Sequence, residues 1–137
     1  MFVLGFAAVP RPRPTKDNPL VLVIDDSEDN REVYAQFLIH VGWRVAIAVD
    51  GVEGLAQATS LRPDAIVLDL GMPKMDGWEV AQRLKANQAT RKIPVLALTG
   101  HALDQSKQRA MSAGVDAYLV KPCLPADLVA AIRRHLK

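Results

Sequence analysis

Five polar residues of three chemical kinds stand at the ends of short apolar runs: Asp25-Asp26 after LVLVI, Asp69 after AIVL, Thr99 after VLAL and Lys121 after AYLV. Taken singly, each has a plainer explanation. Asp25 and Asp26 suit the cap of a following helix, Asp69 suits the start of a turn, and Thr99 and Lys121 suit a solvated strand end. Taken together on one sheet edge, three carboxylates, a hydroxyl and an ammonium exceed what turn chemistry supplies. Crowded carboxylates disfavour one another's charge, so such a cluster calls for a cation. Hard oxygen ligands with room for water match Mg2+. The cation and Lys121 would then hold a phosphoryl group while a carboxylate attacks it, with Thr99 donating a hydrogen bond to a phosphoryl oxygen.

The elements that must bring these residues together are written as an alternation. Apolar, β-branched runs at Leu20–Ile24, Arg44–Val49, Ala65–Leu70, Val95–Leu98 and Ala117–Val120 alternate with helical periods at Glu28–Val41, Val52–Leu61, Trp78–Ala86, Asp104–Ala113 and Ala126–Leu136. The strand runs are continuously apolar, as expected of strands covered on both faces. Ser27 is placed to cap the first helix, Gly42 and Gly114 to end helices, and Pro125 to open the last one. Five such rounds predict a doubly wound α/β domain with helices on both faces of a parallel sheet. In such sheets ligands bind beyond the carboxyl ends of the strands, where the five polar residues stand.

Composition narrows the function classes. The chain has 137 residues, 50% hydrophobic and 23% charged, which fits one globular domain with a sizeable core. A single cysteine, Cys123, excludes an internal disulfide and a cysteine-built zinc site, and fits a reducing, cytoplasmic setting. Of the 17 basic and 15 acidic residues, Arg11, Arg13, Lys16 and Asp17 fall in the first nineteen, which leaves fourteen of each sign in residues 20–137. A neutral body with no basic stripe argues against nucleic acid as its ligand. Residues 1–19 differ in character: apolar Met1–Val9, then PRPRP. Nine apolar residues are too few to span a bilayer. With Ala7–Ala8 they could match the hydrophobic region of a signal peptide, but the charged leader is missing. The segment therefore reads as an extended tail, with a targeting signal as the alternative, and no membrane contact is expected.

The segments VLVIDD (Val21–Asp26), AIVLDLGMPKMDG (Ala65–Gly77), LALTGHA (Leu96–Ala102) and YLVKP (Tyr118–Pro122) resemble the receiver domain of two-component response regulators, in order and over residues 20–137. The resemblance implies a flavodoxin-like five-stranded parallel sheet in the order 2-1-3-4-5. It implies Asp69 as phosphoacceptor from a sensor histidine kinase or phosphotransfer protein. It also implies Mg2+ held directly by Asp26, through water by Asp25, and by Asp69 and the Gly71 carbonyl. Lys121 would pair with the phosphoryl group, and Thr99 and Tyr118 would form the switch pair. Pro122 would follow a cis peptide. Gly71 and His101, two residues beyond Asp69 and Thr99, would tune the lifetime of the phosphoryl group.

The expected function is a signalling switch rather than an enzyme, with output through protein contacts of the fourth helix, fifth strand and fifth helix. Met1 and the end at Lys137 suggest a stand-alone protein, with a fragment of a hybrid kinase as the alternative. An Asp-nucleophile phosphatase is disfavoured because neither Asp25-Asp26-Ser27 nor Asp69-Leu70-Gly71 gives Asp-x-Asp. An FMN site is disfavoured by the acidic first loop. Trp43, Trp78, Met72, Met75 and Met111 read as packing residues, and His40 and His135 as surface residues.

Overall fold

The computed structural model describes residues 18–72, 75–100 and 104–136; the tail before Asn18 and His101 lie outside them. Five strands, β1 (Leu20–Ile24), β2 (Arg44–Ala48), β3 (Ala65–Asp69), β4 (Val95–Thr99) and β5 (Ala117–Val120), alternate with α1 (Glu28–Val41), α2 (Gly51–Leu61), α3 (Gly77–Ala86), α4 (Asp104–Ser112) and α5 (Pro125–His135). All strand pairs are parallel, in the order β2-β1-β3-β4-β5. The order reverses between β1 and β3, and the acidic residues stand at the ends of those two strands.

Alternation along each strand divides the core. Leu22, Ile24, Ile66, Leu68 and Ala97 face α2, α3 and α4, whose Ala58, Val80, Leu84 and Ala110 meet them. Val21, Val23, Val67, Leu96 and Leu98 face α1 and α5 through Tyr34, Leu38, Leu128 and Ile132. Every residue of β1, β3 and β4 is buried. The expectation of strands covered on both faces fails for β2 and β5, which are mostly half-exposed because each lacks an outer neighbour. Met111 departs from its expected packing role: it is 49% exposed, since α4 turns Ala110 and Ala113 inward instead. Among the described residues no helix is long and apolar enough to cross a membrane.

The helix ends follow local chemistry. The Ser27 hydroxyl accepts the Asn30 N–H, Asp50 accepts that of Glu53, and Asp76 that of Glu79. Gly42 closes α1 at φ 103° and Gly114 lies just past α4 at φ 96°, where a side chain would be strained. The folded part begins slightly earlier than Leu20, because the Pro19 carbonyl accepts the Arg44 N–H at 2.9 Å.

The outer edge of β2 is not left bare. Arg44 and Ala48 direct their backbone groups at the β1 side, so Val45, Ile47 and Val49 direct theirs outward. From α2, Gln57 Nε2 donates to the Ile47 carbonyl at 2.8 Å, and Glu53 Oε1 accepts the Val49 N–H at 3.2 Å and a bond from Gln57.

Gly77 sets how closely α3 approaches β3. A Cβ there would lie 2.4 Å from Leu70 Cα and 2.7 Å from the Asp69 carbonyl oxygen. Both contacts are backbone, so no rotamer change relieves them. Gly77→Ala is therefore expected to lower the urea unfolding free energy by about 1–3 kcal/mol, the usual range for forced overpacking. Parental stability would show that the backbone yields there without loss.

Candidate functional site

At the carboxyl edge of the sheet, β1 runs on by one residue: the Asp25 N–H donates to the Ala48 carbonyl at 3.1 Å, so Asp25 is held as an extension of the strand. Its side chain is 1% exposed. Oδ1 accepts the Ser27 N–H at 2.8 Å, while Oδ2 is buried with no hydrogen-bond partner among the described residues. Asp26, one residue on, is exposed. Asp69 closes β3 and is buried; its Oδ1 accepts the Gly71 N–H at 2.9 Å and lies 3.4 Å from Lys121 Nζ. Ligand oxygens of Asp25, Asp26 and Asp69 all fall within 4.8 Å of one another.

Lys121 follows β5 at once, and its N–H donates to the Thr99 carbonyl at 2.7 Å, which fixes the root of the side chain beside β4. The Lys121–Pro122 peptide is cis. Thr99 is buried at the end of β4. Pairing of Thr99 with Val120 and of Ala97 with Tyr118 puts Thr99 and Tyr118 on the same face of the sheet, one strand apart. Asp25, Asp26, Asp69 and Lys121 thus meet with Thr99 beside them, Tyr118 lies on the next strand, and Gly71 joins through its N–H.

The electrostatics differ from the crowding argument in one respect. Burial comes first in pushing the Asp25 carboxyl up to about 6, and the negative charge of Asp69 adds to it; the Ser27 N–H and the Lys121 ammonium work against the rise. A buried carboxylate oxygen without a partner, beside two further carboxylates, is a donor set that fits a hard divalent cation. The same edge places the Lys121 ammonium against the Asp69 carboxylate, an arrangement able to stabilise an anionic group there.

Three contacts to this edge have no signal in the motifs. Ser27 holds the Asp25 carboxylate as well as capping α1. Arg31 Nη1 donates to the Asp25 carbonyl at 2.8 Å, and the Tyr34 hydroxyl donates to the Cys123 carbonyl at 3.2 Å. Spacing shows only that Arg31 and Tyr34 share a face of α1; what they touch is decided by the tertiary fold.

Chemotaxis protein CheY4 of Vibrio cholerae has the same fold, with a TM-score of 0.83 and 34% identity over 87% of this chain and 99% of that one. The receiver domain of a sensor histidine kinase from Pseudomonas aeruginosa, solved with magnesium coordinated in its active-site cleft, gives a TM-score of 0.80 and 30% identity over 86% of this chain and 97% of that one. Among curated relatives, the DNA-binding dual master transcriptional regulator RpaA of Synechocystis is 40% identical over 119 residues, and the transcriptional regulatory protein PrrA of Mycobacterium bovis 42% over 120. Those stretches are 87% and 88% of this chain but 49% and 51% of the relatives, so the chain spans about half their length. A family model for the response regulator receiver domain matches residues 21–133, and the chain belongs to that family.

Proposed function

We propose that residues 20–137 form a phosphorylation-dependent signalling switch in which Asp69 accepts a phosphoryl group from a sensor histidine kinase or phosphotransfer protein. The carrying observation is the Lys121 ammonium 3.4 Å from the Asp69 carboxylate, beside an acidic trio with one buried, unpartnered oxygen. An Asp69 oxygen attacks phosphorus, forming the O–P bond of an acyl phosphate as the donor's P–N bond breaks. The electron pair stays on the imidazole nitrogen, and the other ring nitrogen already carries a proton, so neutral imidazole departs. Lys121 holds the charge of the transferred group, and the Thr99 hydroxyl donates to one of its oxygens.

Mg2+ would be held by Asp26 directly, by Asp25 mainly through water, by Asp69 and by the Gly71 carbonyl; when bound it neutralises charge on the phosphoryl oxygens. Gly71 is also the position we assign, with His101, to tuning the lifetime of the acyl phosphate. A Cβ at Gly71 would sit 3.5 Å from Asp69 Oδ1, at ordinary contact, so a side chain there would border the phosphoryl group.

Output is assigned to protein contacts of α4, β5 and α5, with Thr99 and Tyr118 as the switch pair. Support comes from the bridge between α4 and the start of α3: the Arg109 guanidinium stacks 4.6 Å from the Trp78 ring centre and lies 3.8 Å from the carboxylate of the α3 N-cap, Asp76. We place no nucleic-acid or membrane contact on this body, whose charges cancel, and we assign it to the cytoplasm. The DNA binding of the Synechocystis relative is a property of that protein. Beryllofluoride with Mg2+ is expected to shift amide resonances of Asp104–Leu136 as well as those around Asp69. Shifts confined to Asp25, Asp26 and Asp69 would end the assignment of the output face. Repeated turnover of small phosphate esters would instead identify a phosphatase.

A further inference from the structure

Two polar side chains on one face of α1, one helical turn apart, each grip the backbone of a different loop at the site edge. Arg31 Nη1 donates to the carbonyl of Asp25, within the acidic stretch. The Tyr34 hydroxyl donates to the carbonyl of Cys123, two residues beyond Lys121 and 89 residues away in the chain. Neither side chain is among the groups that meet at Asp69. Their targets, however, are the two segments of opposite charge whose spacing the site depends on. The Lys121 backbone is already held on one side by the Thr99 carbonyl, so Tyr34 supplies the hold on the other.

Tyr34 is buried against Val23, Leu38 and Leu128, so its ring cannot swing away without opening the core. Burial, together with the charges of Cys123, Asp25 and Asp69, raises its pKa, which keeps the hydroxyl a donor. Phenylalanine would fill the same space; the hydroxyl adds only the grip on Cys123. Arg31 has the complementary arrangement. Its guanidinium lies on one carbonyl, with Nε buried and without a partner among the described residues.

We propose that Arg31 and Tyr34 are positioning residues which, through the backbone carbonyls of Asp25 and Cys123, set the separation between the acidic trio and the Lys121 ammonium. This deepens the reading of Asp69 and Lys121 given above and rests on it. The two residues act on different arms of the site, so their loss should separate two measurements.

The test uses the full chain, with Mg2+ affinity from calorimetry and beryllofluoride affinity at saturating Mg2+ from fluorine resonance. Tyr34→Phe is expected to raise the beryllofluoride dissociation constant about three- to tenfold, the effect of one net hydrogen bond, while leaving Mg2+ affinity within about twofold. Arg31→Met, which keeps the apolar stem, is expected to weaken Mg2+ several-fold, and Arg31→Lys to recover much of that loss. A residue with only a structural role would lower the melting temperature and leave both constants in place. Parental beryllofluoride affinity in Tyr34→Phe, or an equal weakening of both ligands by both variants, would overturn the positioning role alone. A parent chain that binds beryllofluoride no better than Asp69→Asn would overturn the site reading, and this proposal with it.

Discussion

Asp69→Asn is expected to take up no phosphoryl group from acetyl phosphate under conditions in which the parent gains the mass of one. The substitution keeps size and the acceptor for the Gly71 N–H, but it removes the anionic oxygen that the proposed function assigns to attack on phosphorus. The parent reaction should require Mg2+ and stop when the metal is chelated. Asp26→Ala, which takes away an exposed carboxylate and leaves the buried pair intact, should slow labelling by at least the roughly 10–100-fold that outer partners of metal ligands are worth. Intact-protein mass spectrometry over a time course reads all three results. Labelling of Asp69→Asn at the parental rate would move the acceptor to another residue.

The second large effect concerns stability without metal. The Asp25 carboxyl rises from 3.8 to about 6 on folding. A raised acid holds its proton more tightly in the folded state. Its contribution is therefore fully present below about pH 4 and is lost as pH rises through about 6. At neutral pH the buried charge costs about 1–3 kcal/mol, the lower part of the range allowing for partial hydration of the group. Asp25→Asn keeps an acceptor for Ser27 and discards the charge. In metal-free buffer at pH 7.5 it should melt several degrees above the parent, with the difference gone near pH 4. Added Mg2+ should raise the parent more than the variant, which keeps Asp26 and Asp69 but lacks the third carboxylate, so the gap narrows. A variant that melts lower than the parent at pH 7.5 would show that Asp25 is held for structure rather than tolerated as a charge.

Much of this was legible in the residues, for physical reasons that also mark the limits. The three central strands announce themselves because burial on both faces demands unbroken apolar runs, and observed ends fall within a residue of those read from Val95–Leu98 or Ala65–Leu70. The site acids and Lys121 were legible because a parallel sheet gathers strand ends at one edge, so position along a strand becomes position in space. Met111 misled because α4 buries alanines, and a long apolar side chain on such a helix need not face inward. Arg31 and Tyr34 gave no signal because their work is done on backbone carbonyls, which every residue carries and which leave no trace in residue type. The leading cause of the Asp25 rise was likewise hidden: neighbouring charge can be counted along the chain, whereas burial depends on the Ala48 carbonyl and the Ser27 amide closing around it.

The Glu53–Gln57 pair over β2 has a consequence for how this domain meets other proteins. A bare strand edge offers amide and carbonyl groups in the repeat that another extended chain needs, and the exposed side chains of Ile47, Val49 and Val52 would add apolar contact. Gln57 and Glu53 mimic that incoming strand from within, supplying one donor and one acceptor at the two positions where it would begin to pair. Two of the outward-facing groups of β2, the Ile47 carbonyl and the Val49 N–H, are thereby taken up by side chains of its own helix. An incoming strand would have to displace both side chains before it could pair at these positions, a cost that side-chain recognition of the same surface does not carry.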